Sequence, residues 1–221
     1  MISIYAKEID GVWFGLAYAE EKIAATTVSP TRERTVGALL GSIPSNIEHQ
    51  IVEEGSEFAE KTIRMLKELE SGNEENKSFS LSQEYVPEPL FKVLKVAASI
   101  PNGYVASYGS IAKMAGTEPK IVGRIMATNP LYPIVPCHRV VGTDFSLVGY
   151  GGRKNLPALQ AKLARLTKEA RGFTRKKEVQ VDGKGLVVHP VECVIRKAKK
   201  SGLDLSYQQR LFDSGQSGSM V

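Results

Sequence analysis

Ser107-Tyr-Gly-Ser-Ile-Ala-Lys-Met-Ala-Gly116-Thr-Glu-Pro119-Lys-Ile-Val-Gly-Arg-Ile-Met-Ala-Thr128 is the stretch on which the reading of the fold turns. Ser107 is a natural N-cap, because its short hydroxyl can accept from an open backbone N–H of the first turn. Gly116 is a natural stop, since glycine enters the left-handed conformation without a steric penalty. Pro119 suits the start of a second helix, where its missing N–H costs no hydrogen bond, and that helix runs to about Thr128. Two short helices joined by a tight glycine-containing turn have a helix-turn-helix outline. Helical hairpins are common in proteins that never touch DNA, so the outline alone leaves function open. Gly123 lies mid-helix, where glycine costs about 1 kcal/mol relative to alanine. Close approach of another surface, either DNA or a second helix, would compensate.

Downstream, Asn129-Pro130 ends the second helix and the chain reads Leu131-Tyr-Pro-Ile-Val-Pro-Cys137-His138-Arg139-Val-Val. Its prolines predict a stiff, extended approach that holds Cys137 in one place. A cysteine reacts as its thiolate and needs a base or a positive environment, and His138 and Arg139 are the right residue types. Successive strand residues point to opposite faces, so Cys137 and His138 cooperate only if the chain turns there or a water bridges them. On the dipeptide alone, an inert buried cysteine is the simpler reading.

Upstream, Pro87 and Pro89 open a helix whose apolar residues Leu90, Val93, Leu94, Ala97 and Ile100 recur at helical spacing, closed by Pro101-Asn102-Gly103. Residues 72–83 are polar and rich in Ser and Asn, the best candidate for a domain boundary. Residues 2–5 and 11–18 read as strands joined at Asp10-Gly11, with a third strand from Ile23 to Val28. Phe58, Ile63, Leu66 and Leu69 share one face of a following helix. The organisation expected is an α+β unit at 1–75, a linker at 76–85, a helical unit carrying the helix-turn-helix at 86–172 (winged-helix-like), and an extension at 173–221, partly disordered from Asp213 onward. The N-terminal sheet is expected to be antiparallel. Leu186-Val-Val has the makings of a strand, and Arg175-Lys-Lys and Arg196-Lys-Ala-Lys-Lys are basic clusters, most simply a solvated surface.

The 221 residues are 42% hydrophobic and 24% charged, enough apolar material for a sizeable core. The net charge of +5 permits a polyanionic partner without demanding one. The longest apolar runs fall far short of a membrane span, and Met1-Ile-Ser-Ile-Tyr-Ala-Lys lacks the charge and apolar block of a signal peptide. A soluble cytoplasmic protein with no membrane partner is expected. Cys137 and Cys193 are the two cysteines and His49, His138 and His189 the three histidines. No pair has zinc-site spacing beyond His189 and Cys193, and neither a metal nor a cofactor is expected.

Four blocks in order carry a resemblance: Ile100-Pro-Asn-Gly-Tyr-Val-Ala-Ser-Tyr-Gly-Ser-Ile-Ala, Pro119-Lys-Ile-Val-Gly-Arg-Ile-Met-Ala-Thr-Asn-Pro, Pro136-Cys-His-Arg-Val-Val and Gly149-Tyr-Gly-Gly152. The chain resembles the O6-alkylguanine-DNA alkyltransferases over about residues 86–152, more weakly to 172. The resemblance implies transfer of an alkyl group from O6 of a flipped-out guanine in duplex DNA to Cys137, once per molecule, by a monomer docking its second helix in the minor groove. It implies His138 as the base acting through a water, and Glu169 as the carboxylate that polarises it. Lys162 fits the start of the family's Lys-x-x-Leu-Leu-x-x-Glu pattern and Leu166 the second leucine, but Arg165 stands where the first leucine belongs. Asn129 is implied as the tie between the helix-turn-helix and the reactive loop. Tyr108, Lys120, Gly123, Arg124 and Arg139 are implied as DNA contacts, and Met126, Val140, Tyr150 and Gly151 as the guanine pocket, with Val140 and the Cys137 carbonyl reading the base edge through backbone hydrogen bonds. Lys120 stands where the family places an arginine wedge, and lysine lacks the planar guanidinium. The alternatives are a non-catalytic lesion-binding relative, which would lack Cys137, a helix-turn-helix regulator, which would not need it, and a Cys-His hydrolase, for which no oxyanion-hole motif is present.

Overall fold

The computed structural model describes residues 1–73 and 86–203. The expected linker at 76–85 and the disorder expected from Asp213 onward lie outside the described residues. The chain is α+β, with two four-stranded sheets.

In the first half, β1 (Ile2–Ile9) and β2 (Val12–Ala19) form the hairpin expected at Asp10-Gly11, and both turn residues have positive φ, as a type I′ turn requires. β3 (Lys22–Ser29) pairs antiparallel with β2. β4 (His49–Val52) adds a strand parallel to β1, so the sheet is mixed rather than purely antiparallel. α1 (Arg32–Leu40), capped by Thr31, packs its Leu39 on one face of the sheet over Ile2, Ile4 and Ala17. Gly15 makes that packing possible, because a Cβ there would sit 2.4 Å from Thr35 Cγ2. α2 (Glu57–Ser71) covers the other face, with Ala59, Ile63 and Leu66 fully buried against Phe14 and Leu16. Ser56 caps its start, and Gly72 at φ 89° ends it.

α3 (Glu88–Ala98) leads into β5 (Tyr104–Ser107), and β5 runs straight into α4 (Tyr108–Ala115). The Ser107 hydroxyl accepts from Ser110 N–H at 3.0 Å, and Gly116 closes α4 at φ 68°. α5 (Pro119–Ala127) follows after a short turn. β6 (Val140–Val141) pairs parallel with β5. α6 (Leu156–Lys168) is capped by Asn155.

Residues 177–200 supply more structure than their polar composition suggests. β7 (Lys177–Val181) and β8 (Lys184–Pro190) form a hairpin, and β8 pairs with β5 to give the order β6-β5-β8-β7. Val181, Leu186 and Val188 join the main core, while α7 (Glu192–Lys200) sets Val194 against Leu166 and Val105. The main core is continuous from Phe14 and Leu66 through Leu94 and Ile111 to Ile134 and Val140. No helix among the described residues is long and apolar enough to cross a membrane.

Candidate active site

Asn129 brackets the reactive loop. Its Nδ2 donates to the Val135 carbonyl at 2.8 Å, and its Oδ1 accepts from Leu131 N–H at 3.0 Å. The backbone between them curls, with Val135 N–H donating to Leu131 O at 2.8 Å, so the proline-rich approach is compact and not extended as expected. One edge of the loop is stitched to the first sheet, where Thr26 N–H donates to Pro130 O at 2.8 Å. Cys137–Arg139 then form a single 3-10 turn. The chain therefore turns at Cys137-His138, the condition under which the two side chains can act together.

Behind the cysteine lies a buried polar cluster. His138 Nε2 stands 2.7 Å from Glu169 Oε1. Arg139, 2% exposed, donates from Nε and Nη2 to the same carboxylate at 2.7–3.1 Å, and from Nη1 to Ile100 O at 2.8 Å. Burial pulls the Glu169 carboxyl up, but the hydrogen bonds from His138 and Arg139 outweigh it and hold it down at about 2. Glu169 is thus an anion that fixes the His138 tautomer: Nε2 carries the proton and donates. Nδ1 is left with the lone pair and has no hydrogen-bond partner among the described residues. Burial lowers the His138 pKa, with Glu169 pulling the other way, so the imidazole is neutral at pH 7.

Cys137 is 8% exposed. Burial pushes its thiol above the ordinary value, and the Lys162 charge, an Asn129 hydrogen bond and the Arg165 charge only partly offset it. Lys162 is fully buried, and its Nζ donates to Val140 O at 2.6 Å and Gly149 O at 3.0 Å. Burial pulls its pKa to about 8, with Cys137 favouring the charged form. The ammonium is therefore both a clamp between two loops and a cation beside the sulfur.

A cavity of about 530 Å³ opens over Cys137. α5 forms one wall through Lys120, Gly123, Arg124 and Met126, Tyr108 projects from the start of α4, and residues 148–154 form the opposite rim. That rim is a tight turn in which Tyr150 and Arg153 exchange backbone hydrogen bonds, with Gly151 and Gly152 both at positive φ. A Cβ on Gly123 would meet only Tyr108, at 4.0 Å. Packing on another helix therefore does not explain this glycine; its open face borders the cavity.

The family model for the DNA-binding domain of 6-O-methylguanine DNA methyltransferase matches residues 90–171. A methylated-DNA–protein-cysteine methyltransferase of Pyrobaculum aerophilum is 51% identical over 65 residues, which span 29% of this chain and 44% of that protein. Its counterpart from Methanocaldococcus jannaschii is 32% identical over 148 residues, spanning 65% of this chain and 82% of the relative. The chain belongs to the methylated-DNA–protein-cysteine methyltransferase family. The crystal structure of the O6-methylguanine-DNA methyltransferase of Pyrococcus kodakaraensis has the same fold, with a TM-score of 0.51 and 25% identity over 76% of this chain and 99% of that one.

Against the residues expected from that family, the structure brings Cys137, His138, Glu169 and Asn129 together, although Glu169 lies more than thirty positions from Cys137. Tyr108, Lys120, Gly123, Arg124, Met126, Tyr150 and Gly151 all line the cavity. Two placements need correction. Arg139 does not face DNA; it is buried against Glu169 and Ile100, and a guanidinium committed there cannot reach a phosphate. Val140 does not line the cavity; it is fully buried, its carbonyl accepts from Lys162, and its N–H is spent on Cys137 O. Sequence reasoning gave Lys162 no role and missed Arg153 and Lys154 on the rim. The signal for Lys162 was present as the first residue of the Lys-to-Glu spacing, but burial of a lysine is invisible in sequence. Among the described residues no cluster of His, Cys, Asp or Glu is placed to hold a metal ion.

Proposed function

We propose that this protein repairs DNA by moving an alkyl group from O6 of guanine onto Cys137, once per molecule. The observation that carries this reading is a cysteine at the wall of a cavity bordered by the short helix α5, with His138 and the Glu169 carboxylate paired behind it. The cavity lies within the ~300–1,000 Å³ range of small-molecule sites, and its lining is mostly apolar, as a purine and its alkyl substituent need.

In the reaction, the Cys137 proton passes to His138 Nδ1 through one water. The thiolate sulfur then attacks the alkyl carbon, the S–C bond forms as the C–O6 bond breaks, and the proton ends on the guanine. The product is a neutral thioether and an unmodified base. Glu169 stabilises the imidazolium that forms transiently, and Lys162 stabilises the thiolate. The target atom is inside the duplex, so the nucleotide must be extruded at a cost of a few kcal/mol of unstacking. α4 and α5 act as the helix-turn-helix, with α5 in the minor groove, Gly123 allowing close approach and Lys120 filling the gap beside the displaced base. Tyr108 crowds the target's phosphate, Arg124 contacts the backbone and Tyr150 stacks on the base. The protein acts as a cytoplasmic monomer without a cofactor.

Incubation with duplex DNA containing one O6-methylguanine, followed by intact-mass spectrometry, tests the reading. One methyl group gained per chain is expected, lost in Cys137→Ala while DNA binding survives. Many lesions repaired per molecule, or no mass gain with intact binding, would rule it out in favour of a turnover enzyme or a regulator.

A further inference from the structure

Arg165 occupies a position where the family pattern has leucine, and no step above uses it. It is half-buried on α6, facing α2 and the reactive loop. Both of its terminal nitrogens donate to the Glu70 carboxylate on α2, and the guanidinium lies 5.3 Å from the centre of the Tyr132 ring. Tyr132, in the loop between Asn129 and Cys137, donates its hydroxyl to the same carboxylate. The Tyr150 phenol, on the cavity wall, lies near enough to Tyr132 for the two rings' hydroxyls to interact electrostatically. One carboxylate of the N-terminal half thus holds a cation from α6 and an aromatic from the reactive loop.

We propose that Glu70, Arg165 and Tyr132 form a positioning network through which the N-terminal half fixes the reactive loop leading to Cys137 and keeps the Arg165 cation where it favours the Cys137 thiolate. The inference rests on the reading of Cys137 as the alkyl acceptor. Three observations support it. Arg165 has an anchor that a leucine could not use, and a bidentate pair with a carboxylate sets the direction of the guanidinium plane. Its charge reaches Cys137, His138 and Tyr150, lowering the thiol's pKa in concert with Lys162. Burial works against the charge of Arg165, but Glu70, Tyr132 and Tyr150 outweigh it, so the cation persists at any pH at which repair occurs. The same loop is pinned a second time to the N-terminal sheet by the Thr26–Pro130 hydrogen bond, so the half that contributes nothing to the cavity lining nonetheless sets the position of the loop that does.

The test separates charge from packing. In a Cys193→Ala background, the rate of Cys137 alkylation by iodoacetamide is followed against pH by mass spectrometry for the parent, Arg165→Leu and Arg165→Lys. Removal of one fixed cation is expected to move the Arg165→Leu curve to higher pH and slow alkylation at pH 7 by about threefold to tenfold. Arg165→Lys keeps the charge and is expected to keep the parent midpoint, while methyl transfer from duplex DNA slows because the bidentate, stacked geometry is lost. Glu70→Gln should slow methyl transfer alone, yet add nothing in the double variant Glu70→Gln/Arg165→Leu. An Arg165→Leu curve superimposed on the parent's, equal displacement of the leucine and lysine variants, or additive effects of Glu70 and Arg165 would each overturn the proposal. A parent protein that takes no methyl from O6-methylguanine duplex would instead remove the alkyltransferase reading, an outcome the iodoacetamide curves register separately.

Discussion

Replacing Glu169 by glutamine is the perturbation whose cost the structure fixes most tightly. The substitution keeps the shape of the side chain and removes one buried negative charge. Arg139, 2% exposed, then faces an amide that cannot match a guanidinium with two strong acceptors. Breaking a buried pair by removing one partner costs about 3–5 kcal/mol, because the other charge is left uncompensated. A second route gives a similar figure. Holding the carboxyl at about 2 against its ordinary 4.5 corresponds to about 3 kcal/mol of stability at neutral pH. The sign follows from proton linkage. A carboxyl whose folded pKa is depressed contributes its full stabilisation above the unfolded value of 4.5, and loses it as pH falls toward 2.

Urea unfolding of wild type and Glu169→Gln at a series of pH values reads both features. At pH 7 the variant should be less stable by about 3–5 kcal/mol, and the difference should shrink between pH 4.5 and 2 until the two proteins converge. Comparing the two proteins at each pH cancels the other depressed carboxyls, such as Asp144. A difference below about 1 kcal/mol at pH 7, or one that stays constant down to pH 2, would refute the account of Glu169 as a buried anion shared by His138 and Arg139.

Two further expectations concern DNA engagement. Lys120→Ala should slow methyl transfer from duplex DNA more than from the free O6-methylguanine base, measured as single-turnover rates; equal slowing would remove Lys120 from base extrusion. Gly123→Ala should raise stability by up to about 1 kcal/mol in thermal unfolding, since the added Cβ meets only Tyr108 at 4.0 Å, and should slow repair of duplex by obstructing the face of α5 that borders the cavity. Unchanged duplex repair in a more stable Gly123→Ala would mean that nothing approaches this face closely.

What was legible in the sequence was local. Ser107, Gly116 and Pro119 mark the ends of α4 and α5 because capping and proline chemistry act within one turn, and Asp10-Gly11 marks the first hairpin for the same reason. α1 and β4 escaped notice because both are short and mostly polar on their outer sides, and α1 is recognisable chiefly from the notch that Gly15 leaves for it in the sheet. Leu186-Val-Val marked β8, but β7 and the pairing of this hairpin escaped, because β7 follows a basic run and the sheet joins strands separated by more than eighty residues. At the site, residue type misled where burial decides. Arg139 beside a reactive cysteine in a basic protein reads as a phosphate contact until Glu169, thirty residues on, is seen to claim it. Arg165 read as a blemish in a leucine pattern until Glu70, nearly a hundred residues earlier, was placed beside it. In each case the partner is non-local, and no periodicity announces it.

The electrostatics of the site also bear on when the nucleophile is made. If Cys137 and His138 rested as a thiolate–imidazolium pair, the surroundings would have to favour both charges. They do the reverse: burial raises the thiol and lowers the imidazole, and the cations Lys162 and Arg165 help the thiolate but disfavour or ignore the imidazolium. Among the described residues only Glu169 supports a protonated His138, and it is already shared with Arg139. The resting state is therefore thiol and neutral imidazole. Proton transfer becomes favourable only when the product charge on sulfur is consumed in the same event, by bond formation to the alkyl carbon. A nucleophile of this kind is slow toward small electrophiles that merely diffuse past, yet competent toward an alkyl group held in line by the cavity, which is the selectivity a single-use cysteine requires.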